Sequence, residues 1–266
     1  MTKQDVIVAS FPKSGTTWLS EIVYLLTNNL DFKAAQSENL EWRVPYIEYV
    51  WPPKVELLSR PEPRILKTHL PLDLLPDDVR SGRSARIIYI LRDPRDVVLS
   101  YYNFAKNFVP SGFKDKEGLA GFVHRFVQDR LPYSPWKENI RSYLMVAAEP
   151  GSHVLVVTYE ELKEDLPKAI RKIDRFLNPS RLLSGKQIDM IAKHCSFEEM
   201  RNNPSTNFDW WVELGLWKNL DQIRFLNKGQ VGSHKQGLTL EMRQQLEEKM
   251  KQESMEWTLI ERRCTT

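Results

Sequence analysis

Cysteine is nearly absent: Cys195 and Cys264 are the only two in 266 residues, too few for a disulfide framework, and neither stands with histidines at metal-ligand spacing. The chain is therefore expected to work in a reducing compartment, the cytoplasm, and without a bound metal. Long apolar runs are missing too. None approaches the ~18 residues of a membrane span, and the opening MTKQDVIVAS lacks a signal-peptide core, so no membrane partner is expected. Nor is there an excess of one charge. The 38 Lys+Arg against 35 Asp+Glu leave +3, too little to argue for nucleic acid but enough for a local basic patch. Without repeats or composition shifts, residues 1–266 are expected to form a single domain, and 41% hydrophobic residues suffice for a full core.

What is present is an alternation of short apolar runs with helical patterns. Val6–Val8, RILKTHLP (Arg64–Pro71), Ala85–Leu91 and His153–Thr158 read as strands, the continuous ones of the kind buried on both faces of a sheet. Their alternation with helices predicts an α/β fold with a central, mostly parallel β-sheet flanked by helices. In such sheets ligands bind off the carboxyl ends of the strands. Lys13, Lys67 with His69, Arg92 and Tyr159 all fall within a few residues of such an end. That edge gathers three cations, a base candidate and a phenol, a site for a multiply charged anion beside a reacting proton.

The first of these ends carries the strongest local signal. Pro12–Gly15 reads as a turn and Thr16–Leu26 as a helix. Gly15 lets the backbone approach an anion, the helix N–H groups point at it, and Lys13, Thr16 and Thr17 add donors. This P-loop-like cradle is not a Walker A loop, because the lysine precedes the glycine and none follows it. A nucleotide kinase or NTPase remains an alternative, one that would need Mg²⁺. Asp93-Pro94 with Asp96 after β-type residues reads as a helix start, N-cap and acidic first turn; the rival is a metal-binding Asp93.

Asp31–Pro63, with Trp42, Tyr46, Tyr49, Trp51, Pro52 and Pro53, predicts a long structured loop, either surface packing or the wall of an apolar pocket. Helices are expected over Gly118–Arg130, Pro135–Ala148, from Tyr159 past Pro167 to Phe176, over Leu183–Lys193 and over Leu240–Met250. Asn203–Leu226 is irregular, and its Trp210, Trp211 and Trp217 suggest a pocket rim or a satellite cluster.

Six segments in this order, FPKSGTTW, KTHLP, RDPRDVVLSYYNF, VTYEELKEDLP, SFEEMRNNPSTNF and NKGQVG, resemble the cytosolic sulfotransferases. These enzymes move a sulfuryl group from 3′-phosphoadenosine 5′-phosphosulfate (PAPS) and release adenosine 3′,5′-bisphosphate (PAP). The resemblance implies His69 as general base, Lys13 and Lys67 stabilising developing charge, and Ser100 holding Lys13 until transfer begins. It places the 5′-phosphosulfate on Ser14, Gly15, Thr16 and Thr17, and the 3′-phosphate on Arg92, Ser100, Lys228 and Gly229. Trp18 and Phe197 would sandwich the adenine, with Tyr159 and Cys195 nearby. Phe11, Tyr46, Tyr49 and Phe104 would surround a small hydroxyl acceptor, a phenol by the aromatic walls and a catecholamine by the two tyrosines that replace phenylalanine. No metal is implied.

Some positions depart from the family. Asn227 stands where an arginine usually precedes Lys-Gly, removing one charge pair to the 3′-phosphate, worth about 1.5–3 kcal/mol unless another cation substitutes. Ser233-His234 replaces Asp-Trp, and Cys195 replaces threonine. Lys235–Gln244 follows the family's dimerisation stretch except for its final glutamate, which makes a homodimer an expectation. Two further readings stay open: a non-catalytic PAPS-binding homologue, and a carbohydrate sulfotransferase, which usually carries a membrane anchor.

Overall fold

A computed structural model describes residues 1–49, 57, 59–218 and 220–252; Trp51, Pro52, Pro53 and Cys264 lie outside them. Four strands, β1 (Val6–Ala9), β2 (Ile65–Thr68), β3 (Arg86–Leu91) and β4 (Val154–Thr158), form one sheet in the order β2-β1-β3-β4. Every pairing is parallel, with Val8 beside Lys67 on one side and Ile88 on the other, and Leu91 beside Thr158. The chain leaves β1 for one edge and then crosses to the other, so the crevice of this doubly wound sheet opens between the loops after β1 and β3.

Helices cover both faces. Ile7, Ala9, Ile87 and Tyr89 enter one core with Val97, Phe122 and Tyr143, while Val6, Val8, Ile88 and Ile90 enter the other with Leu19, Ile22 and Ile173. Both faces of the central strands β1 and β3 are therefore dry, which explains apolar runs that do not alternate with polar residues.

The helix after β1, α1 (Thr16–Thr27), anchors the loop before it. Its Glu21, fully buried, accepts from Arg43 Nη2 at 2.8 Å and lies 2.7 Å from His194 Nε2. An unpartnered carboxylate at that depth would be strongly destabilising, so the pair fixes α1 against its neighbours.

Two expectations change. The stretch expected as a loop from Asp31 holds two short helices, α2 (Phe32–Ser37) and α3 (Leu40–Arg43). Asp31 caps the first by accepting from Ala34 N, and Asn39 caps the second by accepting from Glu41 N. The helix expected to run on past Pro167 is two, α4 (Tyr159–Glu164) and α5 (Leu166–Leu177). Asp165 separates them because its side chain accepts from Lys168 N and starts a new helix with proline in the first turn.

Candidate active site

Backbone geometry builds the anion end. The loop after β1 holds Lys13 at φ 68° and Gly15 at φ 112°. A Cβ on Gly15 would lie 2.8 Å from the Tyr159 ring and 3.0 Å from Ile90 Cδ1, so the loop closes only around glycine. No side chain caps α1 and no acidic residue occupies its first turn. Its first N–H groups and positive dipole end therefore face the cleft with nothing to neutralise them.

Arg92, at the end of β3, spans this loop and a distant turn. It donates to the Lys13 carbonyl at 3.3 Å and the Gln230 carbonyl at 3.0 Å, and its guanidinium lies 4.2 Å from the Tyr159 ring centre. Its Nε is buried with no protein partner, an unspent donor beside the cleft. Asp93 caps the following helix by accepting from Arg95 N, as its sequence context predicts. Asp96 does more than occupy a first turn. It accepts from Gly232 N at 2.7 Å and His234 N at 2.9 Å, and lies 2.9 Å from His234 Nδ1, which folds residues 227–234 onto the β3 corner. There Gly229, at φ 60°, packs so closely that a Cβ would come within 2.3 Å of the Phe197 ring.

Lys13 rests its ammonium 4.1 Å from the Phe225 ring centre and 4.5 Å from that of Phe104, rather than against Ser100. Burial, and then the charge of Arg92, lowers its pKa to about 7. Trp18 meets Tyr159 edge-to-face at 5.3 Å and donates its indole N–H to the Cys195 carbonyl at 2.7 Å.

His69 is held on every side. Its backbone N–H donates to Glu48 Oε1 at 2.6 Å, and its carbonyl accepts from Asn139 at 2.7 Å. Nδ1 lies 2.8 Å from the Ser10 carbonyl, which can only accept, so Nδ1 carries the proton and Nε2 the lone pair. Tyr46 OH donates to that lone pair at 3.0 Å. Burial lowers the pKa of His69 to about 3, with Lys67 and Lys13 acting in the same direction and the Ser10 carbonyl against them. The imidazole is neutral at neutral pH, with Nε2 the nitrogen able to take a proton.

One cleft joins the two ends. Lys13, Gly15, Thr16, Thr17 and Trp18 line it from the first loop and helix, Arg92 and Tyr159 from the next strand ends, and Ser100 from the helix after β3. Phe197, Asn227, Lys228 and Gly229 close the anion side; Tyr46, Tyr49, His69 and Phe104 line the other. Four named residues stand behind the wall. Ser14 and Cys195 are buried, so Cys195 offers Trp18 its carbonyl rather than offering the cleft its thiol; Phe11 packs against Tyr101 and Phe126; Lys67 is 1% exposed. Trp211 and Trp217 serve both expected roles, forming a cluster with Phe208 and lining the cleft.

Sequence reading missed Ser10, Glu41, Glu48, Tyr133 and Asn139. Tyr133, read only as part of a helix break, meets His69 edge-to-face at 5.3 Å. Among the described residues no group of three or more His, Cys, Asp or Glu is placed to hold a metal.

Residues 3–258 match the sulfotransferase domain. The chain belongs to the sulfotransferase family. It is 34% identical to Sulfotransferase 1E1 of Homo sapiens over 96% of this chain and 85% of that protein, and 30% identical to the amine sulfotransferase of Oryctolagus cuniculus over 96% and 82%. Among solved structures it is similar to retinol dehydratase in complex with androsterone and the inactive cofactor PAP, with a TM-score of 0.84 and 27% identity over 95% of this chain and 81% of that one. This sulfotransferase is thus an enzyme that uses PAPS as donor and moves its sulfuryl group to the hydroxyl or amine of a small-molecule acceptor. The kinase reading falls with that membership.

Proposed function

We propose that this cleft transfers the sulfuryl group to the hydroxyl of a small phenolic acceptor, with His69 as general base. The observation that carries the reading is the neutral His69, its Nε2 lone pair met by the Tyr46 hydroxyl, both residues lining a cleft that Lys13 and Arg92 also line. The acceptor hydroxyl gives its proton to Nε2 as its oxygen attacks sulfur. The bond from sulfur to the bridging phosphate oxygen breaks, and the electron pair leaves with PAP. Lys13 stabilises charge on the bridging oxygen and sulfonate, and Lys67, held behind the wall by Glu41, joins it once its ammonium turns to the donor.

The donor's 5′ end sits on the backbone of Ser14–Thr17 and the helix start, and its 3′-phosphate on Arg92, Ser100, Lys228 and Gly229. Trp18 and Phe197 bracket the adenine, with Tyr159 beside it. Tyr46, Tyr49 and Phe104 form the acceptor walls and Phe11 backs them; the two phenols suit a polar acceptor such as a catecholamine. The enzyme acts as a single domain in the cytoplasm; no helix among the described residues is long and apolar enough to cross a membrane. Lys235, Thr239, Leu240 and Gln244 are exposed, as a homodimer contact requires.

Label transfer from sulfur-labelled PAPS to phenols, aliphatic alcohols and amines, with EDTA present, tests the reading. Labelled phenol esters are expected; label that reaches only aliphatic alcohols would overturn the phenol assignment.

Lys13 also gives the donor site a pH dependence. A bound anion favours the ammonium, so its pKa rises above about 7 in the complex. Affinity for PAP is therefore full below pH 7 and falls as pH rises through it, up to about tenfold per unit, until the pKa of the complex is reached. Calorimetric titration across that range should show this slope, and Lys13→Met should flatten it.

A further inference from the structure

Among the described residues two carboxylates line the cleft, and the transfer reaction uses neither: Asp96 is spent on Gly232 N and on His234 N and Nδ1, which leaves Glu41. Glu41 lies in the first turn of α3, where Asn39 accepts its backbone N–H at 3.1 Å, and it lines the cleft with Tyr46, Tyr49 and His69. It accepts from Lys67 Nζ at 2.8 Å. The two partners differ in access: the Lys67 side chain is 1% exposed and that of Glu41 18%. The same ammonium lies 4.3 Å from the Tyr46 ring centre.

A carboxylate beside an aromatic face is the chemistry that recognises an alkylammonium ion, and here it already holds one. That ammonium belongs to the chain itself. It is also the cation the proposed reaction assigns to the sulfonate. When Lys67 turns to the donor, Glu41 loses its partner while remaining within a cleft whose other charged lining is Lys13, Arg92, Arg224, Lys228 and the already committed Asp96. A half-buried carboxylate in that state recovers its stability from a second cation, and Glu41, the more exposed of the pair, lines the same cleft as Tyr46, Tyr49 and His69. Asp209, near the Arg224 rim, is already paired with Arg224. Glu48 is committed to the His69 backbone and is not part of the cleft lining.

We propose that Glu41 is the ammonium subsite of the acceptor pocket. The acceptor class it selects is a phenol bearing a protonated alkylamine on a short arm, whose ammonium takes the place of Lys67 on Glu41 while the phenol hydroxyl reaches His69 Nε2. Glu41 acts here as a specificity residue. The proposal rests on the sulfuryl-transfer reading above and narrows its acceptor.

The test compares tyramine with 4-propylphenol, a neutral analogue of the same length, in the PAP-bound enzyme by calorimetry and in the PAPS reaction by label transfer. Tyramine is expected to bind about tenfold tighter or more, the effect of one charge-assisted contact. Glu41→Gln should bring the tyramine-to-propylphenol binding ratio to about one. Equal binding of the two phenols to the unmodified enzyme overturns the proposal without need of any variant. So does a ratio that survives in a folded Glu41→Gln protein, and so does an equal loss for both phenols, which would confine Glu41 to holding Lys67. A binding ratio as expected, with label reaching neither phenol, would support the subsite and overturn the reading of His69 and its pocket instead.

Discussion

His69→Ala is expected to lower kcat by about 10²–10⁴ while leaving PAP binding in place, the signature of a group that acts on the acceptor proton and not on the donor. Geometry poises the imidazole before electrostatics does. The Ser10 carbonyl fixes the tautomer, Glu48 and Asn139 fix the backbone, and Nε2 is left to accept. Tyr46 fills that position with its own hydroxyl at 3.0 Å, marking where an acceptor oxygen must arrive. Burial then keeps the imidazole neutral. Its protonated form is the inactive one, so activity attributable to His69 is lost only as pH falls through its pKa of about 3. The profile of kcat/KM should accordingly lack an acid limb near the ordinary imidazole value of about 6.5. Steady-state kinetics with a phenol, paired with calorimetry of PAP, separates the two effects; unchanged kcat in the variant would remove His69 from the chemistry.

The part of this site that could be read from the chain is the part written in consecutive residues. The β1 loop announces itself because Gly15, Lys13 and two threonines lie within five positions, and the β3 corner because Asp93 and Pro94 together signal a helix start. The runs at β1, β3 and β4 followed from their unbroken apolar character, which two covered sheet faces demand, whereas β2 holds Lys67 and Thr68. The partners of His69 could not be read that way. Asn139 reaches its carbonyl from 70 residues downstream, and Tyr46 stands beside it because Pro45–Ile47 pairs along the edge of β2, with Lys67 N donating to the Pro45 carbonyl and Ile47 N to that of Lys67. Neither contact leaves a local period, and the prolines and aromatics around Tyr46 suggest a loop instead. Asp96 misled for the opposite reason. A first-turn acid explained it locally, whereas its carboxylate is spent 136 and 138 residues away, on the turn that brings Lys228 and Gly229 to the cleft.

That turn bears on the second large effect, recognition of the donor's 3′-phosphate without the usual arginine at position 227. On the proposed donor placement, Arg92 supplies the charge. It sits between the first loop and the 227–234 turn, is stacked on Tyr159, and keeps one buried N–H unspent. A guanidinium so arranged offers a fork to a phosphate and contributes little to a ligand lacking one.

The most direct test is therefore the ratio of affinities for PAP and adenosine 5′-monophosphate, which lacks only the 3′-phosphate, measured by calorimetry in EDTA for the unmodified enzyme and Arg92→Met. Two charge-assisted contacts at about 1.5–3 kcal/mol each predict a preference for PAP of about a hundredfold or more, reduced at least about tenfold in the variant. Equal affinity for the two nucleotides, or a preference that persists undiminished in Arg92→Met, would contradict the assignment of this cleft as the donor site.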